Sequence, residues 1–244
     1  DVKIDAFAWI DKNVEIGDGT WIGAHATIME GARIGKNCQI FPNAVVSAIP
    51  QDLKFKGEET TAEIGDNTIL RECVTVNRGT ASKGKTVVGS NCLLMAYVHI
   101  GHDSLLGNNI IISNSTNVAG EITIDDFAII SGDVQIHQFV NIGGHVMISG
   151  GSLVRKDVPP YITVAHEPVS YVGVNSVGLR RRGFSNETIL HIQDIYREIF
   201  VKEQNVAQAL KFVESDLDQS KERDYILNFI KNSQRGIVRG YNGS

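Results

Sequence analysis

From residue 4 onward, a branched aliphatic residue recurs at every sixth position. The series runs Ile4, Ile10, Ile16, Ile22, Ile28, Ile34, Ile40 and Val46, resumes at Ile64, Leu70 and Val76, and continues from Val88 to Val154 without a miss. Only Asp52, Glu58 and Ser82 interrupt it. An amphipathic helix requires apolar positions at three- and four-residue steps, and a half-buried strand requires alternation, so neither accounts for a period of six. One short strand plus one tight corner per unit does, with a single aliphatic turned inward each time. The residues after the aliphatic are small or turn-forming, as in IGDG, IGKN and LGNN, which is what a tight corner needs. Three such units close a triangular coil, and stacked coils bury a continuous aliphatic column. Residues one full coil apart then lie one strand spacing, ~4.8 Å, from each other.

Two segments abandon the spacing. Residues 47–63 (SAIPQDLKFKGEETTAE) and 77–87 (NRGTASKGKTV) carry Gly, Lys, Asp and Thr in place of the aliphatics, and read as loops thrown out from the prism, where function commonly resides. Val158-Pro159-Pro160 is expected to end the repeat, because consecutive prolines cannot feed a sheet ladder. From Ser185 the period becomes helical: ETILHIQDIYREIF sets Ile189, Ile192, Ile195, Tyr196 and Ile199 on one face. The pattern therefore predicts a β-helical prism over residues 1–160, a connecting segment over 161–184 and a helical domain over 185–244. A helical tail docked on the last coils would also cover an exposed sheet end.

Composition narrows the function classes. With 42% hydrophobic and 21% charged residues the chain reads as a soluble globular protein, and no apolar run has the ~18 residues of a membrane span. The N-terminal stretch lacks the basic and apolar regions of a secretory signal, so a cytoplasmic location is expected. A net charge of −5 argues against a nucleic-acid partner. Cys38, Cys73 and Cys92 form no paired framework and read as small core residues in a reducing compartment.

The densest chemical signal is Tyr97-Val98-His99-Ile100-Gly101-His102-Asp103. His99 precedes an inward aliphatic and His102 follows it by two, so both belong near a corner on the outside of the prism. Stacking by whole coils puts Gly120 and then Gln138 over His102, with His137 in the neighbouring column. His25, His145, His166 and His191, standing alone, read as solvated surface residues. A histidine base, a carboxylate to fix its tautomer and a backbone N–H for an oxyanion suffice for acyl transfer to an alcohol. No Ser or Cys stands beside this strip as a nucleophile, which favours direct attack by the acceptor. A zinc site built from His99, His102 and His137 is the rival reading, and a non-catalytic scaffold is a third.

Across almost its whole length the chain resembles the acyl-carrier-protein-dependent UDP-N-acetylglucosamine O-acyltransferases of lipid A synthesis. The likeness is carried by Gln51-Asp52-Leu53-Lys54, Arg71-Glu72, Arg78-Gly79-Thr80, His99 to Asp103, Asp125 to Ile130, His137-Gln138-Phe139, Asp157 to Tyr161, Gly173-Val174-Asn175 and Gly178 to Phe184. That resemblance implies a left-handed β-helix assembled as a homotrimer, with no cofactor beyond the phosphopantetheine of the acyl-carrier protein that brings a 3-hydroxyacyl chain to a UDP-sugar. It implies His102 as general base, Asp103 as its orienter and Gly120 as the oxyanion contact. His99, His137 and Gln138 would shape the pocket, Asp52 and Lys54 would reach across to the sugar of the adjacent site, and Asn175, Arg181 and Arg182 would serve the uridine diphosphate or the phosphopantetheine. Gly150 falls where the family sets acyl length, and a glycine there implies an open groove. The basic residues Arg155, Lys156 and Arg180 either flank structure as solvated charge or dock the acidic carrier protein. One departure is Glu121, where the family commonly has a histidine. Stacked on Asp103, its carboxylate should repel, so that one of the two is protonated or turned toward Lys54. This opens an alternative acceptor, a UDP-3-amino sugar.

Overall fold

The computed structural model describes residues 1–202 and 205–240; positions 203–204 and 241–244 of the segment assigned to the helical domain lie outside the described residues. Short strands wind into three sheets whose members recur in strict rotation. The first face begins with Lys3–Ile4 and Trp21–Ile22, the second with Trp9–Ile10 and Thr27–Ile28, the third with Glu15–Ile16 and Ala32–Ile34. Neighbouring pairs within the coils are parallel, with registers such as His99↔Asn117 and Ile100↔Val118, and the register shifts between Val76 and Asn77, where the second excursion begins. The winding is that of a left-handed β-helix.

Its core is the six-residue series itself. Ile22, Ile28, Ile40, Leu70, Leu94, Ile100, Ile112 and Ile130 are all fully buried. The regular corners place their third residue in the left-handed backbone region, with φ of 57° at Asn67, 59° at Asp103, 60° at Glu121 and 59° at His145. Asn and Asp tolerate this conformation, and aromatic and acidic residues are held there by the ladder on either side. At the N-terminal end the column is uncovered: Ile4 is 51% exposed, and Ile10 and Ile16 are half-buried.

Both excursions leave the same corner, between the second and third faces. The first separates strand Val45–Ala48 from Thr61–Ile64, and the second separates Thr75–Asn77 from Lys85–Val88.

Two details differ from the sequence expectation. Val158-Pro159-Pro160 does not end the ladder, because strand Ile162–Ala165 joins the first face parallel to Met147–Ile148. The prolines occupy the corner before that strand, where no ladder hydrogen bond is asked of their nitrogens. A further strand, Ser170–Val174, then folds back antiparallel. Helix also starts before Ser185. Helix α1 (Ser176–Arg181) lies inside the segment read as a connection and is followed by α2 (Asn186–Phe200), α3 (Val206–Asp216) and α4 (Lys221–Asn232).

Each helix opens on a capping side chain, with Asn175, Ser185, Asn205 and Ser220 accepting from Gly178, Thr188, Gln208 and Arg223 N–H in turn. The helices seal onto the last coils through Tyr196, whose hydroxyl donates to the Pro160 carbonyl at 2.6 Å, and through Tyr225, which accepts from Gly144 N–H and donates to Asp125. Among the described residues no helix is long and apolar enough to cross a membrane.

Candidate active site

His102 stands at the corner between the second and third faces, with its side chain 11% exposed. Its Nδ1 lies 2.8 Å from Asp103 Oδ2. Asp103 is fully buried and collects hydrogen bonds from the second loop: Thr80 N–H at 2.9 Å, Thr80 Oγ1 at 2.7 Å and Lys83 N–H at 3.1 Å. Burial raises the pKa of this carboxyl, but the bonds from His102, Thr80 and Lys83 outweigh it and hold the group below the ordinary carboxylate range. Asp103 is thus a carboxylate with no proton to offer, so the hydrogen shared with His102 sits on Nδ1. In the neutral imidazole this tautomer places the lone pair on Nε2.

That nitrogen faces a cleft of about 450 Å³ lined by His99, His102, Gly120, His137 and Gln138, together with Gln51, Asn77 and Arg155. The coil stacking read from the sequence brings the first five together. Gly120 supports the imidazole directly: a Cβ there would fall 2.6 Å from Nε2 and 2.7 Å from Cε1 of His102. Only glycine leaves room for the ring. Among the described residues nothing accepts the Gly120 N–H. His99 packs beside His102 with Nδ1 2.7 Å from Thr75 Oγ1. Burial, and then the His102 imidazole, hold His99 below the usual histidine range, keeping it neutral. His137 is exposed, with Nδ1 3.1 Å from the Gln138 carbonyl and 3.3 Å from Arg235 Nη2.

Several residues sit elsewhere than expected. Asp52 does not extend away toward a neighbour: its Oδ2 is 4.0 Å from Nε2 of His102 in the same chain. Lys54 is exposed at the end of the same turn, its N–H bound to Asp52 Oδ1. Glu121 donates its N–H to the His102 carbonyl at 2.8 Å, and among the described residues it forms no ion pair with Lys54. The anticipated repulsion does not protonate Asp103, because the Thr80–Lys83 loop stabilises that carboxylate from the other side. Gly150 is exposed at the corner between the first and second faces, where a Cβ would lie 3.2 Å from the Gly132 carbonyl oxygen.

Asn175, Arg181 and Arg182 belong to the corner between the third and first faces, away from the His102 cleft. Asn175 caps α1 and donates to the His145 carbonyl at 2.9 Å. Arg182 stacks over Phe127 at 5.5 Å and donates to its carbonyl through Nη2, leaving Nη1 buried without a partner. Arg181 is exposed. His145, read as a solvated histidine, is instead sandwiched between Phe127 and Tyr161 at centroid distances of 4.9 and 5.5 Å.

Among the described residues no group of three His, Cys, Asp or Glu side chains is arranged to hold a metal ion. The zinc reading therefore lacks a ligand set.

Residues 157–238 match the family model described as UDP-N-acetylglucosamine O-acyltransferase, domain 2, and residues 13–48 match the bacterial transferase hexapeptide model. The acyl-[acyl-carrier-protein]–UDP-N-acetylglucosamine O-acyltransferase of Thermodesulfovibrio yellowstonii is 42% identical over 98% of this chain and 93% of its own. The chain belongs to this O-acyltransferase family. A second member, from Chlorobaculum parvum, is 56% identical over 82% of this chain and 76% of its own. The solved UDP-N-acetylglucosamine acyltransferase of Bacteroides fragilis superposes with a TM-score of 0.87 at 53% identity, covering 98% of each chain. That of Francisella novicida reaches 0.94 at 39% identity, covering 99% of this chain and 91% of its own. Membership of the O-acyltransferases leaves the amino-sugar, hydratase and scaffold alternatives without support.

The supports of Asp103 were not found by sequence reasoning. Thr80 was noticed as part of a motif, but Lys83 and Thr86, whose hydroxyl accepts the Asp103 N–H at 2.8 Å, gave no signal. They lie in or beside an excursion that leaves the six-residue register, so stacking arithmetic does not reach them.

Proposed function

We propose that this protein transfers a 3-hydroxyacyl chain from acyl-carrier protein to the 3-hydroxyl of UDP-N-acetylglucosamine, the first step of lipid A synthesis, with His102 as general base. The observation that carries this reading is the Asp103–His102 pair aimed at a cleft floored by Gly120. The acceptor hydroxyl gives its proton to Nε2 as its oxygen attacks the thioester carbonyl. The new C–O bond forms, the C–S bond breaks, and the proton passes from the imidazolium to the departing thiolate. Asp103 stabilises the transient imidazolium, and the unpartnered Gly120 N–H is a donor for the oxyanion.

His99, Gln138 and His137 line the route of the substrates, and Asp52, Lys54 and Glu121 stand at its rim as acceptor contacts. Gly150 leaves its corner bare, in keeping with a role in setting acyl length. Asn175, Arg181 and Arg182 would meet the same cleft only from a neighbouring copy, which favours a trimer with sites between subunits. An outward column of Ile69, Leu93, Ile111, Ile129 and Met147 on the first face supplies an apolar surface for such packing. Sedimentation of the purified protein at monomer mass would remove the trimer from this proposal. The soluble partners are the acyl-carrier protein and the UDP-sugar, in the cytoplasm.

The function is tested by incubating the protein with 3-hydroxyacyl-carrier protein of several chain lengths and UDP-N-acetylglucosamine. Transfer to the sugar oxygen is expected, and absence of product at every length would refute the reading.

A further inference from the structure

The two excursions from the prism are bound to each other as well as to the His102 corner. Asn77, at the base of the second loop, donates through Nδ2 to the Ile49 carbonyl of the first at 2.8 Å. Arg78 follows it. Its N–H bonds the Ala48 carbonyl at 2.9 Å and its Nη1 donates to the Glu30 carbonyl at 3.1 Å. The guanidinium then lies over the Phe55 ring, 5.5 Å from its centroid. The Arg78 Nε is buried with no hydrogen-bond partner, so the side chain is held there by its far end and by the aromatic face.

Phe55 closes the turn that carries Asp52. Its N–H donates to the Asp52 carbonyl at 3.0 Å, while the Lys54 N–H donates to Asp52 Oδ1 at 2.9 Å. One carboxylate oxygen is thereby fixed by its own turn, and the other, Oδ2, is left 4.0 Å from His102 Nε2. The ends of the loop are fastened by the Ser47 hydroxyl to the Glu30 carbonyl and the Thr60 hydroxyl to the Gly79 carbonyl, whereas near its tip Leu53 is fully exposed and Ile49 is 55% exposed.

We infer that Arg78 is a positioning residue for the transfer reaction: through its contact with Phe55 it holds the Asp52 turn so that the carboxylate faces the proton-accepting nitrogen of His102. The inference rests on the function proposed above. A carboxylate at that nitrogen favours the imidazolium formed when the acceptor hydroxyl gives up its proton. It complements Asp103, which acts on the opposite side of the ring. Both carboxylates flanking His102 are then set by one short stretch of chain, with Thr80 and Lys83 holding Asp103 and Asn77 and Arg78 holding Asp52. A cation over an aromatic face is a soft restraint, but misplacing a reacting group by about 1 Å costs on the order of a hundredfold in rate.

The test is a double-mutant cycle read by transfer from 3-hydroxyacyl-carrier protein to UDP-N-acetylglucosamine. Arg78→Ala and Phe55→Leu are each expected to lower kcat about tenfold to a hundredfold, Phe55→Tyr to retain the wild-type rate, and neither loss to appear in an Asp52→Asn background. Phe55 lies on the loop, so Phe55→Leu carries the test alone if Arg78→Ala fails to fold. Full activity in Phe55→Leu, or losses that add to that of Asp52→Asn, would overturn the positioning role while leaving the proposed function standing. A wild-type protein that transfers nothing to the sugar would remove both.

Discussion

Two corners of this prism each present a histidine, and they use it in opposite ways. At the corner between the second and third faces, His102 precedes the left-handed residue, so its ring swings over Gly120 and its Nδ1 finds Asp103. At the corner between the third and first faces, His145 itself occupies the left-handed position, with φ of 59°, and its ring enters a stack between Phe127 and Tyr161 with Phe184 edge-on at 5.1 Å. Its Nδ1 is buried without a partner. Burial, and then the Arg182 guanidinium, push the His145 pKa down to about 4. One residue of offset within the same corner geometry separates a histidine hydrogen-bonded to a carboxylate from one kept neutral as an aromatic plate. The fold supplies the position, and the neighbours on adjacent coils supply the chemistry.

The sharpest way to break this contrast is to remove each ring or its support. His102→Ala is expected to lower kcat by about 100- to 10,000-fold, the usual range for a general base, with the melting temperature little changed; a variant retaining full activity would end the assignment. Asp103→Ala should lose about a hundredfold or more in kcat, since the tautomer is no longer fixed. Unlike the first variant, it should also lose about 3 kcal/mol of stability in denaturant titrations, because the buried Thr80 N–H and hydroxyl lose their acceptor.

For His145 the expected signature is in acid stability. Its folded pKa is depressed, so the unfolded chain takes up a proton below about 6.5 while the folded protein resists until about 4. Stability from this group is therefore present above pH 6.5 and is lost as pH falls toward 4. His145→Phe should show a smaller fall in melting temperature than wild type across that window, and identical pH profiles would mean the stack does not suppress protonation.

The sequence disclosed the prism more fully than it disclosed its corners. A six-residue period constrains every coil at once, so the core and the His102–Gly120–Gln138 strip could be read by counting. Counting fails where the chain leaves the register. The separation between paired positions, 18 residues at Leu93↔Ile111, widens to 30 at Gln39↔Ile69 and 24 at Ile69↔Leu93 around the two excursions, and the contacts of Asp52 and Asp103 are made by those excursions. Helix α1 was missed for a local reason: SVGLRR contains a glycine and buries only Leu179, so it lacks an apolar periodicity, and its start is announced only by the Asn175 cap. His145 was read as solvated because its partners Phe127 and Tyr161 are a coil above and below and Phe184 comes from beyond the repeat.

The plugged end of the prism sets which coils open last. In a stack where each coil touches only its neighbours, stability is a sum along one dimension and opening passes from layer to layer. The last coils are fastened by Tyr196 and Tyr225 from the helices, and the His99–Ile100 strand is laddered on both sides, to Thr75–Val76 and to Asn117–Val118. Amide exchange should therefore be slowest in the coils that the helices fasten. The His102 corner is shielded from fraying by its place inside the stack, since a neighbouring coil must open on one side before its own ladder is exposed.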